Sequence, residues 1–139
     1  MDDCIYCKII NGEIKVPIVY EDDTILVFLE QSPSCYGHSI IVPKAHEVSL
    51  TAVPAETASA MLHYSQELGR AMCRTKTWDG FNLRIDNGEC AGQVVSHCAM
   101  HVIPRVGTDG FYNNWRKLAY DSVEHSQDVL DHIQERLKK

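Results

Sequence analysis

Short apolar runs separated by turn-forming residues dominate the first two thirds of the chain. Each run spans about four to eight residues and is bounded by Gly, Pro, Asn or Asp, a pattern typical of β-strands. The sequence therefore predicts about five strands. These strands cover residues 18–20, 24–30, 38–42, 81–85 and a stretch around His97 that ends at Pro104.

Apolar residues at helical spacing predict one long helix over residues 53–74, and Pro54 and Glu56 suit its first turn. A second helix is predicted over residues 122–139, where Ser122 is a suitable cap and every third or fourth residue is apolar. Residues 5–14 predict a short helix or turn. Strands, then a helix, then strands favour an α+β fold built on an antiparallel meander.

Composition and charge narrow the class of protein. The chain has 139 residues, which predicts a single domain over residues 1–139, and 45% of them are hydrophobic. The formal net charge of −6 disfavours nucleic acid or an anionic membrane as the main partner. The first residues carry neither a basic start nor an apolar run, so we expect no signal peptide, no transmembrane segment and a cytoplasmic or nuclear location. Six cysteines are then expected to be reduced.

A row of polar positions stands out near residue 97. In a strand, side chains alternate between faces, which places His97, Ala99 and His101 on one face and leaves the intervening residues on an apolar face. A single strand histidine is usually structural. Two of them beside small residues are more suggestive, because imidazoles transfer protons near neutral pH and open backbone N–H groups can receive phosphate oxygens.

Cys4 and Cys7 have the Cys-x-x-Cys spacing that lets two thiolates reach one zinc ion. A redox pair or two unrelated cysteines are the alternatives, and the position outside a βαβ pattern disfavours a thioredoxin-like redox site. His46 and His97 are the best candidates for the two further ligands. Four protein ligands would leave no position for water, so this zinc would be structural.

A zinc-finger-like nucleic-acid module is the competing interpretation of these residues. It requires two neighbouring histidines on one ion. His97 and His101 are four residues apart, and on a strand their Cα atoms would be separated by about 13 Å, at about 3.3 Å per residue. That distance and the acidic charge disfavour the module.

The stretch Gly92–Ile103 resembles the signature of the histidine triad (HIT) family, His-φ-His-φ-His-φ-φ with φ apolar, except that Ala99 occupies the central position. Residues 4–14, 20–23, 28–30 and 37–46 resemble further parts of the family in the expected order. The resemblance is greatest to the zinc-containing Cys-x-x-Cys members among the nucleoside phosphoramidases and nucleotide hydrolases. It implies a HIT-like fold with a central antiparallel sheet, paired into a homodimer.

The resemblance also implies roles for individual residues. The implied zinc ligands are Cys4, Cys7, His46 and His97. The implied pocket for a purine base is formed by Ile5, Tyr6, Ile9, Phe28 and Leu29. Glu30 occupies the place of an Asp that holds the ribose hydroxyls, and the residues implied to lie near the α-phosphate are Asp86, where Asn is common, Gln93 and His101, with His38 supporting the nucleophile.

Ala99 stands where the family carries its nucleophile. There an imidazole attacks the α-phosphorus of an AMP-like substrate, a nucleotidyl-histidine forms and water resolves it. An alanine cannot attack, so we expect this chain to be inactive or strongly impaired. The intact histidines around it favour a designed His→Ala change over a natural protein that binds nucleotides without cleaving them. A zinc-dependent interaction protein without a nucleotide site is the remaining hypothesis.

Overall fold

A computed structural model describes residues 3–111 and 117–137 of the chain. Its elements follow the predicted order. They are α1 (Ile5–Ile10), β1 (Ile18–Glu21), β2 (Ile25–Leu29), β3 (Ser39–Pro43), α2 (Ala55–Arg74), β4 (Gly80–Arg84), β5 (Met100–Arg105) and α3 (Val123–Leu137), with a 3₁₀ turn at Glu89–Ala91. No helix among these residues has the length and apolar character needed to cross a membrane.

The five strands form one antiparallel sheet in the order β1-β2-β3-β5-β4. In the register of the three last strands, His101 on β5 pairs with Ile40 on β3 and with Arg84 on β4. The α+β class, the sheet of about five strands, the long helix and the C-terminal helix are thereby confirmed, whereas pairing into a dimer stays a prediction.

Each face of the sheet buries its own apolar cluster, as the period-two alternation requires. One face packs against α2, where strand residues such as Val27, Ile41 and Val102 meet Met61 and Met72. Burying one such side chain contributes about 1.5–3 kcal/mol. Residues on the opposite face pack under α1. They are Leu26, Phe28, Ile40, Val42 and Ala99, and Ile9 of α1 itself completes the cluster.

The strand predicted around His97 is shorter than expected. β5 begins at Met100, and residues 97–99 precede it without pairing to the sheet. The backbone N–H of Cys98 donates instead to the carbonyl oxygen of Glu47, and that of His97 donates to Val95. The chain nevertheless keeps its alternation, because Cys98 packs on the α2 face and Ala99 on the α1 face.

The C-terminal helix forms where the sequence predicts it, within the described residues. The described part of the chain leaves its apolar stripe largely uncovered: Leu130 is 45% exposed and Ile133 51%. Residues 138 and 139 of the predicted helix lie outside the described residues.

Candidate functional site

Two cysteines and two histidines from three separate stretches converge beside α1. Cys4 occupies the N-cap position of the helix and Cys7 lies one turn on, so their sulfurs share a side of the helix. His46 follows β3, and His97 precedes β5. One donor atom from each of the four lies within 4.8 Å of all the others.

The spacing of these donors fits a tetrahedral zinc ion. The Sγ atom of Cys7 lies 3.2 Å from Nδ1 of His46 and 3.6 Å from Nδ1 of His97, and the Sγ atom of Cys4 lies 3.5 Å from the latter. Zinc bonds of about 2.3 Å to sulfur and about 2.0 Å to nitrogen require a separation of about 3.5 Å between tetrahedral S and N ligands. The predicted four residues are therefore arranged as a zinc ligand set.

A hydrogen bond to the backbone sets the tautomer of His97 that a metal ion requires. Its Nε2 lies 2.9 Å from the carbonyl oxygen of Pro43, which can only accept, so Nε2 carries the proton and Nδ1 presents a lone pair to the sulfurs. The ring is 1% exposed. Burial and the adjacent Cys4 raise the pKa of the Cys7 thiol, and a divalent cation would supply the charge that two neighbouring thiolates need.

A cavity of about 450 Å³ opens beside this cluster, on the α1 face of the sheet. Its apolar wall comes from α1 and the sheet, and its polar wall comes from the ends of the strands and the loop before β5. The apolar wall includes Ile5, Tyr6, Ile9, Phe28, Ile40 and Ile103. The polar wall includes Glu30, His38, Arg84, Asp86, Gln93 and His101.

The structure brings nearly all the predicted nucleotide-site residues to this one cavity. Leu29 is the exception, since it is absent from the lining while its neighbour Phe28 is part of it. Adjacent strand residues point to opposite faces, so the two could not both face the cavity from β2. Ala99 lines the cavity together with His97 and His101, as the alternation predicts.

His38 and His101 form a directed pair at the centre of the polar wall. The Ser34 backbone N–H lies 3.3 Å from Nδ1 of His38, and Nε2 of His38 lies 2.9 Å from Nδ1 of His101. Because Nδ1 of His38 accepts from Ser34, Nε2 of His38 carries the proton and donates it to His101. His101 then keeps its own proton on Nε2.

Burial favours the uncharged form of both imidazoles. Burial lowers the pKa of His38 and that of His101, and the carboxylate of Glu30 opposes the shift in both. Tyr6 shares the cavity, and burial together with Glu30 raises its pKa to about 12. These three side chains are therefore uncharged donors and acceptors at neutral pH, whereas Glu30, Arg84 and Asp86 bring formal charges to the same cavity.

Gln93 braces the loop around the cavity. Its Oε1 accepts from the backbone N–H of Gly88 at 2.7 Å, and its Nε2 donates to the carbonyl oxygens of Val48 at 2.7 Å and Val95 at 3.0 Å. Both amide protons and one lone pair of the oxygen are thus used within the chain. The sequence places Gln93 near the phosphate, and the structure shows that it also fixes the backbone there.

Arg84 is a cavity residue that the sequence analysis does not identify. Its Nε lies 2.9 Å from Oδ1 of Asp86 and its Nη2 lies 2.8 Å from Oδ2. Asp86, which is predicted to lie near the phosphate, is therefore held in a bidentate ion pair. The pair packs over Gly92, whose φ of +94° favours glycine and where a Cβ would lie 3.1 Å from Nη2. The β4–β5 register is the signal that places Arg84 beside His101.

Relatives of known sequence match most of this chain. A protein named hit from Bacillus subtilis is 38% identical over 138 residues, covering 98% of this chain and 95% of that protein. Adenylylsulfatase HINT3 of Arabidopsis thaliana is 40% identical over 108 residues, which cover 78% of this chain and 55% of the plant protein.

Solved structures share the fold over nearly the full length. A HIT family protein from Bacillus anthracis superposes with a TM-score of 0.88 at 36% identity, covering 97% of both chains. A zinc-bound histidine triad family protein from Mycobacterium smegmatis superposes with a TM-score of 0.75 at 32% identity, covering 99% of this chain and 96% of that one. The model of the HIT domain matches residues 11–108. On this match and on the cavity built around His97, Ala99 and His101, the chain belongs to the histidine triad (HIT) family.

Proposed function

We propose that this chain binds a purine nucleotide of the AMP type in the cavity, at a site built to hydrolyse the bond between the α-phosphate and its substituent. The observation that carries the proposal is the position of Ala99, which lines the cavity next to the intact His38–His101 pair. With a methyl group at this position the chain binds nucleotide and cleaves it very slowly or not at all.

The apolar wall suits a flat purine base. The rings of Tyr6 and Phe28 lie 5.7 Å apart at 59°, and Ile5 and Ile9 extend the surface from α1. Such a wall removes apolar ring surface from water but provides few directed hydrogen bonds. The site therefore selects a planar base of purine size by shape, and adenine and guanine are both accommodated.

Glu30 supplies the acceptor for the ribose hydroxyls. Its Oε1 receives the backbone N–H of Ser32 at 3.0 Å, which fixes the carboxylate at the end of β2. The remaining lone pairs of a carboxylate can accept from two neighbouring hydroxyl groups. This contact fixes the nucleoside, and the phosphate then lies beside the strands that follow β2 in the sheet.

His101 contacts the α-phosphate from β5. Since Nδ1 accepts from His38, Nε2–H is the donor that remains for a phosphate oxygen. When an imidazole occupies position 99, its ring nitrogen bonds to the α-phosphorus as the bond from phosphorus to the substituent breaks. An amine substituent takes its proton from Nε2 of His101, an oxyanion leaves without one, and water then hydrolyses the bond between phosphorus and the histidine. A neutral donor that is fixed before the substrate arrives stabilises the charge that develops on the phosphate.

The competing proposal is a natural nucleotide-binding protein without chemistry, which would carry Ala99 as well. The two proposals predict different residues at position 99 in the natural gene. Histidine at position 99 in the natural gene would identify an adenosine 5′-monophosphoramidase-like hydrolase whose nucleophile has been removed. Alanine there would identify a nucleotide sensor.

We also infer that Cys4, Cys7, His46 and His97 hold one structural zinc ion. Their donor spacing supports this, as does the similarity to the zinc-bound protein from Mycobacterium smegmatis. The ion would join α1 to the segments after β3 and before β5. In this position it holds the cavity wall together and takes no part in a reaction.

Homodimer formation through β4 completes the proposal. β4 is an outer strand of the sheet, and its residues Phe81 and Leu83 are 36% and 42% exposed. An uncovered outer strand with apolar side chains is suited to pairing with a second copy of itself. The Phe81 ring is already fixed against Gly69 of α2, where an added Cβ would lie 2.4 Å from the ring.

Calorimetric titration with AMP tests the nucleotide site on the chain as it is. We expect saturable binding, weakened about tenfold by Glu30→Gln because one charge-assisted contact to the ribose is lost. Glu13→Gln, a loss of the same charge outside the main cavity, is the matched control. The parent should bind 2′,3′-dideoxy-AMP more weakly than AMP. Glu30→Gln should bind the two ligands with equal affinity. Absence of AMP binding contradicts the proposal.

A further inference from the structure

Arg84 is the only lysine or arginine among the described residues that line the cavity. It ends β4, and its Cα position pairs with that of His101 on β5. A nucleotide brings at least one phosphate charge into this cavity, where the other formally charged side chains are the carboxylates of Glu30 and Asp86. The guanidinium of Arg84 is therefore the main positive group available to a ligand.

Its ion pair with Asp86 orients this guanidinium and leaves part of it free. Asp86 occupies the edge formed by Nε and Nη2. Within residues 3–111 and 117–137, Nη1 makes no hydrogen bond, and the side chain is 57% exposed. A guanidinium carries five N–H groups, so three remain for a second anion.

Strand order fixes which part of a bound nucleotide would reach Arg84. Glu30 follows β2, His38 precedes β3, His101 lies on β5 and Arg84 on β4, and these strands are consecutive neighbours in the sheet. Neighbouring strands are about 4.8 Å apart. With ribose at Glu30 and the α-phosphate at His101, the group beyond the α-phosphate extends one strand further, to Arg84.

We propose that Arg84 determines the class of leaving group at this site: it selects nucleotides whose α-phosphate carries an oxyanion, such as phosphate or sulfate, over those that carry an amine. This inference rests on the proposed function. The free N–H groups of Arg84 can bind two oxygens of a phosphate or sulfate, whereas a neutral amine offers no charge and an ammonium group is repelled. Asp86 holds the guanidinium in place and reduces its net attraction.

Binding measurements test this without catalysis, because Ala99 leaves the ligands intact. We would titrate the zinc-loaded protein with ADP, adenosine 5′-phosphosulfate and AMP-morpholidate, in which the substituent on the α-phosphate is uncharged. The parent is expected to bind the two oxyanion ligands about tenfold more tightly than the morpholidate. Arg84→Gln should remove this preference while leaving the affinity for the morpholidate unchanged.

Two variants make the test specific. Asp86→Asn removes the competing carboxylate and should enlarge the preference, opposite in sign to Arg84→Gln. Arg70→Gln, which removes an exposed arginine paired with Glu67 on α2, is the matched control and should leave the preference as it is. A preference that survives Arg84→Gln, or an equal loss for all three ligands, overturns the inference. If no ligand binds to the parent, the proposed function itself fails.

Discussion

Nε2 of His38 donates a hydrogen bond to Nδ1 of His101 over 2.9 Å, and the backbone N–H of Ser34 fixes that direction. The pair links the residue that precedes β3 to β5, two residues along the chain from Ala99. It holds a neutral imidazole with a free Nε2–H in the cavity before any ligand arrives. We expect both the acid sensitivity of the fold and the chemistry of a restored nucleophile to depend on this pair.

Acid should destabilise the protein through this pair. Burial lowers the pKa of both imidazoles below the ordinary value of 6.5, so the unfolded chain binds protons that the folded chain resists. Their stabilising contribution is complete above pH 6.5 and is lost as the pH falls towards the lowered values. Urea unfolding between about pH 7.5 and about pH 5.5 should show a decreasing free energy of unfolding.

His38→Gln separates this effect from other acid-sensitive groups. The variant keeps the cysteines and the other histidines but removes one imidazole of the His38–His101 pair. Its free energy of unfolding should fall less over the same pH range. An equal or steeper fall in the variant would show that the pair is not the source.

Restoring a nucleophile should restore chemistry. Ala99→His places an imidazole in the cavity beside His101, and release of AMP from an adenosine 5′-phosphoramidate should rise by about three orders of magnitude or more. Chromatography of the released AMP measures the rate. Ala99→Gln adds a side chain of similar size without a nucleophile and should stay at the parent rate. Equal rates in the two variants would refute hydrolysis through position 99.

Most of the fold can be predicted from the apolar runs, and the pair of cysteines in the candidate zinc site can be predicted from the Cys-x-x-Cys motif. The run from Ile25 to Leu29 is continuous, so its strand follows from local pattern alone. Cys4 and Cys7 are one helical turn apart, so their sulfurs must be neighbours once α1 forms.

Other features depend on contacts between distant segments and could not be derived from local pattern. Residues 97–99 leave the sheet because Cys98 donates to Glu47, an interaction across a loop. Arg84 reaches the cavity because β4 pairs with β5 in one particular register, which alternation within β4 does not specify. Gln93 stabilises its loop by donating to the carbonyl oxygen of Val48, and this contact forms only when the two distant segments meet.

Zinc removal should unfold the region around α1. Cys7→Ser removes the thiol that lies near both histidines of the cluster, and the zinc content should fall from about one ion per chain to near zero. The free energy of unfolding should decrease by several kcal/mol, because metal binding is coupled to folding. Cys73→Ser alters an exposed cysteine on α2 and should change neither quantity. Full zinc retention in Cys7→Ser would exclude this ligand set.

Leu83→Arg should convert a dimer into a monomer. Leu83 is 42% exposed on β4, and two copies paired along this strand would bring two arginines into an apolar interface. Val19 on β1, the opposite outer strand, is 41% exposed and provides the matched control as Val19→Arg. Sedimentation velocity should show a dimer for the parent and for Val19→Arg, and a monomer for Leu83→Arg. Monomeric parent protein would contradict pairing altogether. If only Val19→Arg lost the dimer, the interface would lie at β1 instead. Val19 and Leu83 are almost equally exposed, so the two variants differ mainly in which outer strand carries the arginine.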